Sequence, residues 1–99
     1  MPYTVEFAQS VERHFRVLTA RERTTILGAI GRQLHREPFK ETRHRKPLRP
    51  NPVAPWELRV GQLRVFCEVA GAQSGVDRIL AAGRTRRNVL LIGDKEIRL

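Results

Sequence analysis

Cysteine is nearly absent: Cys67 stands alone in 99 residues. A single thiol excludes any disulfide within the chain and any zinc site of the CxxC kind. It suits a reducing compartment. Long apolar runs are missing too. None approaches the ~18 residues that a membrane span needs. The opening Met1-Pro2-Tyr3-Thr4-Val5-Glu6 has no basic region followed by an apolar stretch, so no signal peptide is read there. A cytoplasmic protein with no membrane partner is expected. Neither GxxxxGK[ST] nor GxGxxG occurs. The acidic residues are scattered, with no cluster suited to Mg²⁺ or Zn²⁺. No metal and no cofactor are expected.

Acidic residues are also few. Ten Asp and Glu face nineteen Lys and Arg, giving a net charge of +9. An excess of this size attracts polyanions, and nucleic acid is the leading partner class. An acidic protein comes second. A membrane surface comes third, because no segment reads as a basic amphipathic anchor. Hydrophobic residues at 40% and charged residues at 29% fit a globular protein. Residues 1–99 read as one domain.

Along the chain, Tyr3, Val5 and Phe7 alternate with Thr4 and Glu6, which predicts a short strand. Val11, Phe15 and Leu18 recur at helical spacing, with Ser10 as the expected N-cap. Thr19-Ala20-Arg21-Glu22 has capping-box spacing and predicts a second helix. Its apolar stripe is read as Ile26, Leu27, Ile30 and Leu34, ending near Pro38. Five of the six prolines lie between residues 38 and 55, which predicts a long extended connection. That connection is basic: Lys40, Arg43, Arg45, Lys46 and Arg49 oppose only Glu41.

A hairpin follows. Trp56-Glu57-Leu58-Arg59-Val60 and Leu63-Arg64-Val65-Phe66-Cys67-Glu68-Val69 alternate about Gly61-Gln62, a pair suited to a type II′ turn. A strand near Val76–Ala82, a basic turn from Gly83 to Asn88, and a terminal hairpin about Gly93-Asp94 complete the pattern. Strands and helices in this order predict α+β, with two N-terminal helices packed on a twisted, mainly antiparallel sheet.

The central hairpin carries the sharpest signal. A two-residue loop sets Val60 opposite Leu63, and so Arg59 opposite Arg64. Trp56, Leu58, Val60, Leu63, Val65, Cys67 and Val69 then share the core face. Like charges directly opposite one another are unfavourable, and a shared phosphate would relieve the repulsion. The plain alternative is that both arginines splay into solvent or pair with Glu57 or Glu68. The loop bearing Arg45, Lys46 and Arg49 and the turn bearing Arg84, Arg86 and Arg87 are expected to converge on the same face and bind nucleic acid. Arginine's planar fork suits phosphate there. Of the histidines, His14 reads as structural, while His44 sits in the basic loop and could carry a proton. Cys67 reads as buried filler.

The residues Trp56-Glu57-Leu58-Arg59-Val60-Gly61-Gln62-Leu63-Arg64-Val65-Phe66 resemble the central hairpin of RelE/ParE-type toxins of bacterial type II toxin–antitoxin systems. The likeness extends to Tyr3–Phe7, the helical pair, Pro47-Leu48-Arg49, and Ile79 to Arg87. It implies a cognate antitoxin that masks the toxin. For RelE-like members it implies ribosome-dependent cutting of mRNA. Arg59 and Arg64 would then be catalytic, stabilising charge as the RNA 2′-hydroxyl attacks the adjacent phosphate. Arg49 matches a basic family position just before the hairpin. ParE-like members instead inhibit DNA gyrase without catalysis. A non-toxic nucleic-acid-binding module is the third reading. Two positions depart from the RNA-cutting pattern. Position 57, often basic in those members, is Glu57. Residues 89–99 hold neither the tyrosine nor the histidine that often carries a proton there, so the ribosome or His44 would have to assist.

Overall fold

Residues 4–33, 45–51, 53–69, 76–87, 89–93 and 95–97 are described by the computed structural model of this chain. Alternation at the start becomes β1 (Thr4–Phe7). Two helices follow, α1 (Gln9–Arg16) and α2 (Ala20–Gln33). Then come β2 (Arg45–Pro47), β3 (Trp56–Val60), β4 (Leu63–Val69), β5 (Val76–Arg86), β6 (Val89–Ile92) and β7 (Lys95–Ile97). Neighbours in the sheet run β2-β3-β4-β5-β6-β7, all antiparallel, and β1 joins β5 in parallel. The fold is α+β with a mainly antiparallel sheet. One strand precedes the helices, and it is the parallel one.

The capping box forms between the helices. The Glu22 backbone N–H donates to Thr19 Oγ1 at 3.0 Å, and the Thr19 N–H donates to Glu22 Oε1 at 2.8 Å. Ser10 is not the N-cap of α1. That position is Ala8, with no side-chain cap, and Ser10 lies inside the helix, where its Oγ donates to Leu80 O at 3.3 Å. A distant carbonyl, to which the hydroxyl donates, has taken the place of the local N–H it would accept from as a cap. Arg23 closes the other end of α1 by donating Nη1 to Phe15 O and Leu18 O at 3.1 and 2.7 Å. On α2, Ile26, Ala29 and Ile30 turn inward, while Leu27 is 47% exposed and off the stripe. Leu34 lies outside the described residues.

Val11, Leu18, Ile26, Ala29 and Ile30 pack on Leu58, Leu63, Val65, Cys67, Ile79 and Ala82. Each large aliphatic side chain so buried contributes roughly 1.5–3 kcal/mol. A second core lies elsewhere. Phe66, fully buried, gathers Ala54, Ala81, Leu90 and Ile92, with Leu48, Val53, Leu80 and Ile97 against it. Phe66 alternates with Val65 and Cys67, so this cluster sits on the opposite face of the sheet.

Two corrections concern the connections, and one further irregularity is not foreseen in the sequence. The proline-rich segment is not simply extended. After β2 it folds back, with Leu48 N–H donating to Pro55 O at 2.8 Å. Asn51 holds the loop. Its Nδ2 donates to Arg49 O and Ala54 O, and its Oδ1 accepts from the N–H groups of Val53 and Ala54, all between 2.7 and 3.1 Å. The strand predicted to end at Ala82 runs on to Arg86, so Arg84 and Arg86 belong to β5 and not to a turn. Last, β5 carries a bulge: Phe66 pairs with Ala81 and Cys67 with Ile79, leaving Leu80 as the extra residue.

One edge of β5 is shared. β1 pairs with 76–79 and β6 with 83–86. The gap between them is filled by α1 and the residue before it. Ala8 N–H donates to Ile79 O at 2.8 Å, Ser10 bonds Leu80 O, and Ala82 N–H donates to His14 Nδ1 at 3.4 Å. Gly83 begins the β6 ladder, where a Cβ would stand 2.1 Å from Leu91 O. Only glycine permits that approach.

Candidate nucleic-acid interface

The hairpin register fixes the site. Val60 pairs with Leu63, Arg59 with Arg64, Leu58 with Val65, Glu57 with Phe66 and Trp56 with Cys67. Gly61 has φ +60° while Gln62 is not left-handed, as a type II′ turn requires. The β2 register adds Lys46 opposite Glu57. Cross-strand partners share a face, so two adjacent rows lie opposite the helices. One holds Lys46, Glu57, Phe66 and Ala81. The other holds Arg59, Arg64, Gly83, Ile92 and Lys95.

Glu57 is the carboxylate of these rows, and it is only 5% exposed. It bonds the Nε of Arg59, two residues on along the same face. Arg64 folds back over the turn, donating Nη1 to Gly61 O at 2.7 Å and Leu63 O at 2.8 Å. Partial burial holds the Arg64 guanidinium below the usual arginine range; Glu57 opposes this and Arg59 adds to it. Arginine remains protonated at neutral pH all the same. The two guanidiniums are thus occupied differently: Arg59 by a direct bond to a carboxylate, Arg64 by two carbonyls, with Glu57 acting on its charge only through space.

The remaining basic residues do not all converge here. Arg84 pairs with Leu63 in register and so faces the helices, where its Nη1 reaches Glu22 Oε1 at 3.1 Å and Oε2 at 3.3 Å. The expected grouping of Arg84 with Arg59 and Arg64 is therefore overturned, and alternation turns Arg86 to the same side as Arg84. Arg87 sits exposed at the β5–β6 tip in a left-handed conformation, φ 51°. Arg49 lies on the Asn51 loop, lining a cleft of about 390 Å³ with Glu68 and Leu80. Arg45 is opposite Leu58 in register, outside the Glu57 row. Lys40, Arg43, His35 and His44 lie outside the described residues.

Glu22 serves both the capping box and Arg84. The Thr19 N–H, ahead of the Arg84 guanidinium, holds its carboxyl below the usual range. His14 is structural: its Nδ1 accepts from the backbone of β5. Burial and the neighbouring Arg13 lower its pKa below 6.5. Cys67 is buried at 2% exposure within the helix-side core. Among the described residues no group of His, Cys, Asp and Glu could hold a metal, and no helix is long and apolar enough to cross a membrane.

No family model and no curated protein matches the sequence. The fold does have a solved likeness. It superposes on a chain of the toxin–antitoxin complex RelBE2 from Mycobacterium tuberculosis with TM-score 0.72 and 26% identity, covering 86% of this chain and all of that one. The chain is RelE-like. Within this RelE-like chain, sequence reasoning found the Arg59–Arg64 pair and its register. It missed the buried carboxylate beside them as a member of the site, and it missed Lys95. Glu57 was visible as a partner the arginines could pair with and as a departure from a pattern, but not as a buried group. It is buried where the sheet sets it between Lys46 and Phe66, a tertiary feature.

Proposed function

We propose that this chain is the toxin of a type II toxin–antitoxin module, and that it cuts mRNA on the ribosome. The observation that carries the reading is the group Lys46, Glu57, Arg59 and Arg64 on one sheet face. It combines cations able to receive a phosphodiester with a carboxylate able to take a proton. In the reaction the 2′-oxygen bonds to phosphorus and the P–O5′ bond breaks, leaving a 2′,3′-cyclic phosphate and a 5′-hydroxyl. Glu57 takes the 2′-hydroxyl proton once the incoming phosphate has drawn Arg59 away from it. Arg64 and Arg59 stabilise the charge on the phosphoryl oxygens, and the departing 5′-oxygen is protonated by solvent or by the ribosome.

An antitoxin partner is part of this reading. Supporting it is an apolar groove formed by Phe7, Phe15, Val11 and Leu27. Phe7 is 45% exposed, with its ring edge-on to Phe15 at 6.2 Å. Exposed apolar surface of this kind marks protein-binding sites. The second reading, gyrase inhibition without catalysis, draws on the commitment of Arg59 to Glu57 and of Arg84 to Glu22. Both pairings reduce the free charge offered to RNA.

The test uses the Arg64→Ala variant, which breaks no ion pair among the described residues. With programmed ribosomes, cleavage should slow about 100- to 1,000-fold, as expected when one charge-stabilising donor is removed, while melting is unchanged. A variant that melts normally, arrests growth as fully as the parent and inhibits gyrase supercoiling in vitro would replace the endonuclease reading with the gyrase one.

A further inference from the structure

Away from the Glu57 group, a cleft of about 350 Å³ opens between α1 and the adjoining Ile92 (β6), Gly93 and Lys95 (β7). Its polar lining is Arg13, His14, Arg16 and Lys95, with Val17 and Ile92 as apolar floor. Among the described residues no carboxylate lines it. We propose that this cleft is a second phosphate-binding site, which holds the backbone of single-stranded RNA entering or leaving the Arg59–Arg64 face. The proposal rests on the RNA-cutting reading above.

The side chains are uncommitted in a way that fits an anion. Cations in the last turn of a helix ordinarily serve its carbonyls. Here Arg23 already bonds Phe15 O and Leu18 O, so Arg13 and Arg16 are not needed for that purpose. Arg16 gives one Nη2 bond to Glu12 at 3.0 Å, an exposed pair of the kind worth little, and the rest of its fork remains. His14 accepts at Nδ1 from Ala82, so a neutral imidazole carries its proton at Nε2 and can donate. Burial and Arg13 favour that neutral form. Gly93, at φ +61°, lets the turn approach to where its Cβ would stand 3.4 Å from the His14 ring. The cleft is thus assembled by close packing and is more than a loose run of charge.

Register favours RNA over an acidic protein segment as the occupant. Lys95 pairs with Ile92, Ile92 with Gly83, and Gly83 with Arg64. Lys95 therefore stands in the same row and on the same face as Arg59 and Arg64. Three strand spacings separate it from Arg64, about 14 Å, which a few nucleotides span. A polymer with evenly repeated charge meets both sites at once.

The experiment measures binding of a short labelled single-stranded RNA against salt, for the full chain and for Arg13→Gln/Arg16→Gln/Lys95→Gln. These residues are exposed, so melting should hold. The slope of log K against log salt should shrink by about 0.7 for each phosphate no longer neutralised, roughly 2 for three. Should the triple variant fail to fold, Lys95→Gln alone should still lower the slope by about 0.7. An unchanged slope overturns the proposal. So does an unchanged slope accompanied by failure to bind the antitoxin, which would assign the cleft to a protein. The two readings separate cleanly. If Arg64→Ala leaves growth arrest intact while the triple variant shows the smaller slope, the endonuclease reading fails and the phosphate site stands.

Discussion

At the scale of single residues, the Arg59–Arg64 juxtaposition is tolerable because Glu57 stands beside it. A carboxylate that is 5% exposed would be costly without a partner, and Arg59 supplies one. Removing the arginine therefore does not simply relieve repulsion. Arg59→Ala leaves a buried carboxylate short of its bond, at a cost of about 1–3 kcal/mol. Glu57→Gln combined with Arg59→Ala should regain much of that loss, because a neutral amide is cheaper to bury. Thermal melting of the parent, both single variants and the double variant checks this as a cycle. If Arg59→Ala melts at the parental temperature, the bond contributes nothing and the arginines splay independently. Arg64, held only by turn carbonyls, should be replaceable with little change in stability.

Among elements, the informative one is α1. It spans only residues 9–16, too short to be stable alone. Three ties hold its start and flank to the open edge of β5, and His14 makes the last of them. The folded state keeps His14 below its ordinary pKa of 6.5, so the unfolded chain binds its proton more readily. Its stabilising contribution is present in full above about pH 6.5 and is lost as pH falls through the lower folded value. Melting temperature should fall between about pH 7.5 and 5.5, and His14→Gln, which retains an acceptor, should flatten that slope. His35 and His44 are common to both proteins, so the difference isolates His14. An equal slope in both would refute the tie. Glu22, whose carboxyl is also lowered, acts in a separate window: its contribution is present above about 4.5 and is lost on further acidification.

This element also marks where the sequence stops being legible. Alternation, the capping box and the Gly61-Gln62 turn are local, and each is written in a few adjacent residues. The register of the hairpin followed from them, and with it the Arg59–Arg64 pair. Ser10 misled because its acceptor, Leu80 O, is 70 residues away. Arg84 misled because the bulge at Leu80 and the continuation of β5 past Gly83 decide its face. The second core was hidden for a related reason. Phe66 is one aromatic between the charged Arg64 and Glu68 along β4, and the Asn51 loop, β5 and the terminal hairpin together bury it.

For the whole molecule, the charge of +9 sets two opposing responses to salt. Self-repulsion destabilises a compact cationic protein. Raising ionic strength from about 0.01 to 0.1 M cuts the screening length from roughly 30 to 10 Å, so the melting temperature should rise while RNA affinity falls. General screening depends on ionic strength alone. Sites that bind an oxyanion add a further, saturable gain that grows with ligand concentration over its dissociation constant. Sulfate should therefore stabilise the protein more than chloride at matched ionic strength. Sulfate also strengthens apolar burial in every protein, so the comparison must be made against a variant. Arg64→Ala/Lys95→Gln removes one cation from the Arg59–Arg64 pair and the cation at the far end of the row, and leaves both cores intact. If the row binds oxyanions, this variant should keep the chloride response and lose most of the sulfate excess. If the excess survives unchanged, it belongs to the solvent, and neither the Arg59–Arg64 face nor the α1 cleft binds phosphate-like groups in the free protein.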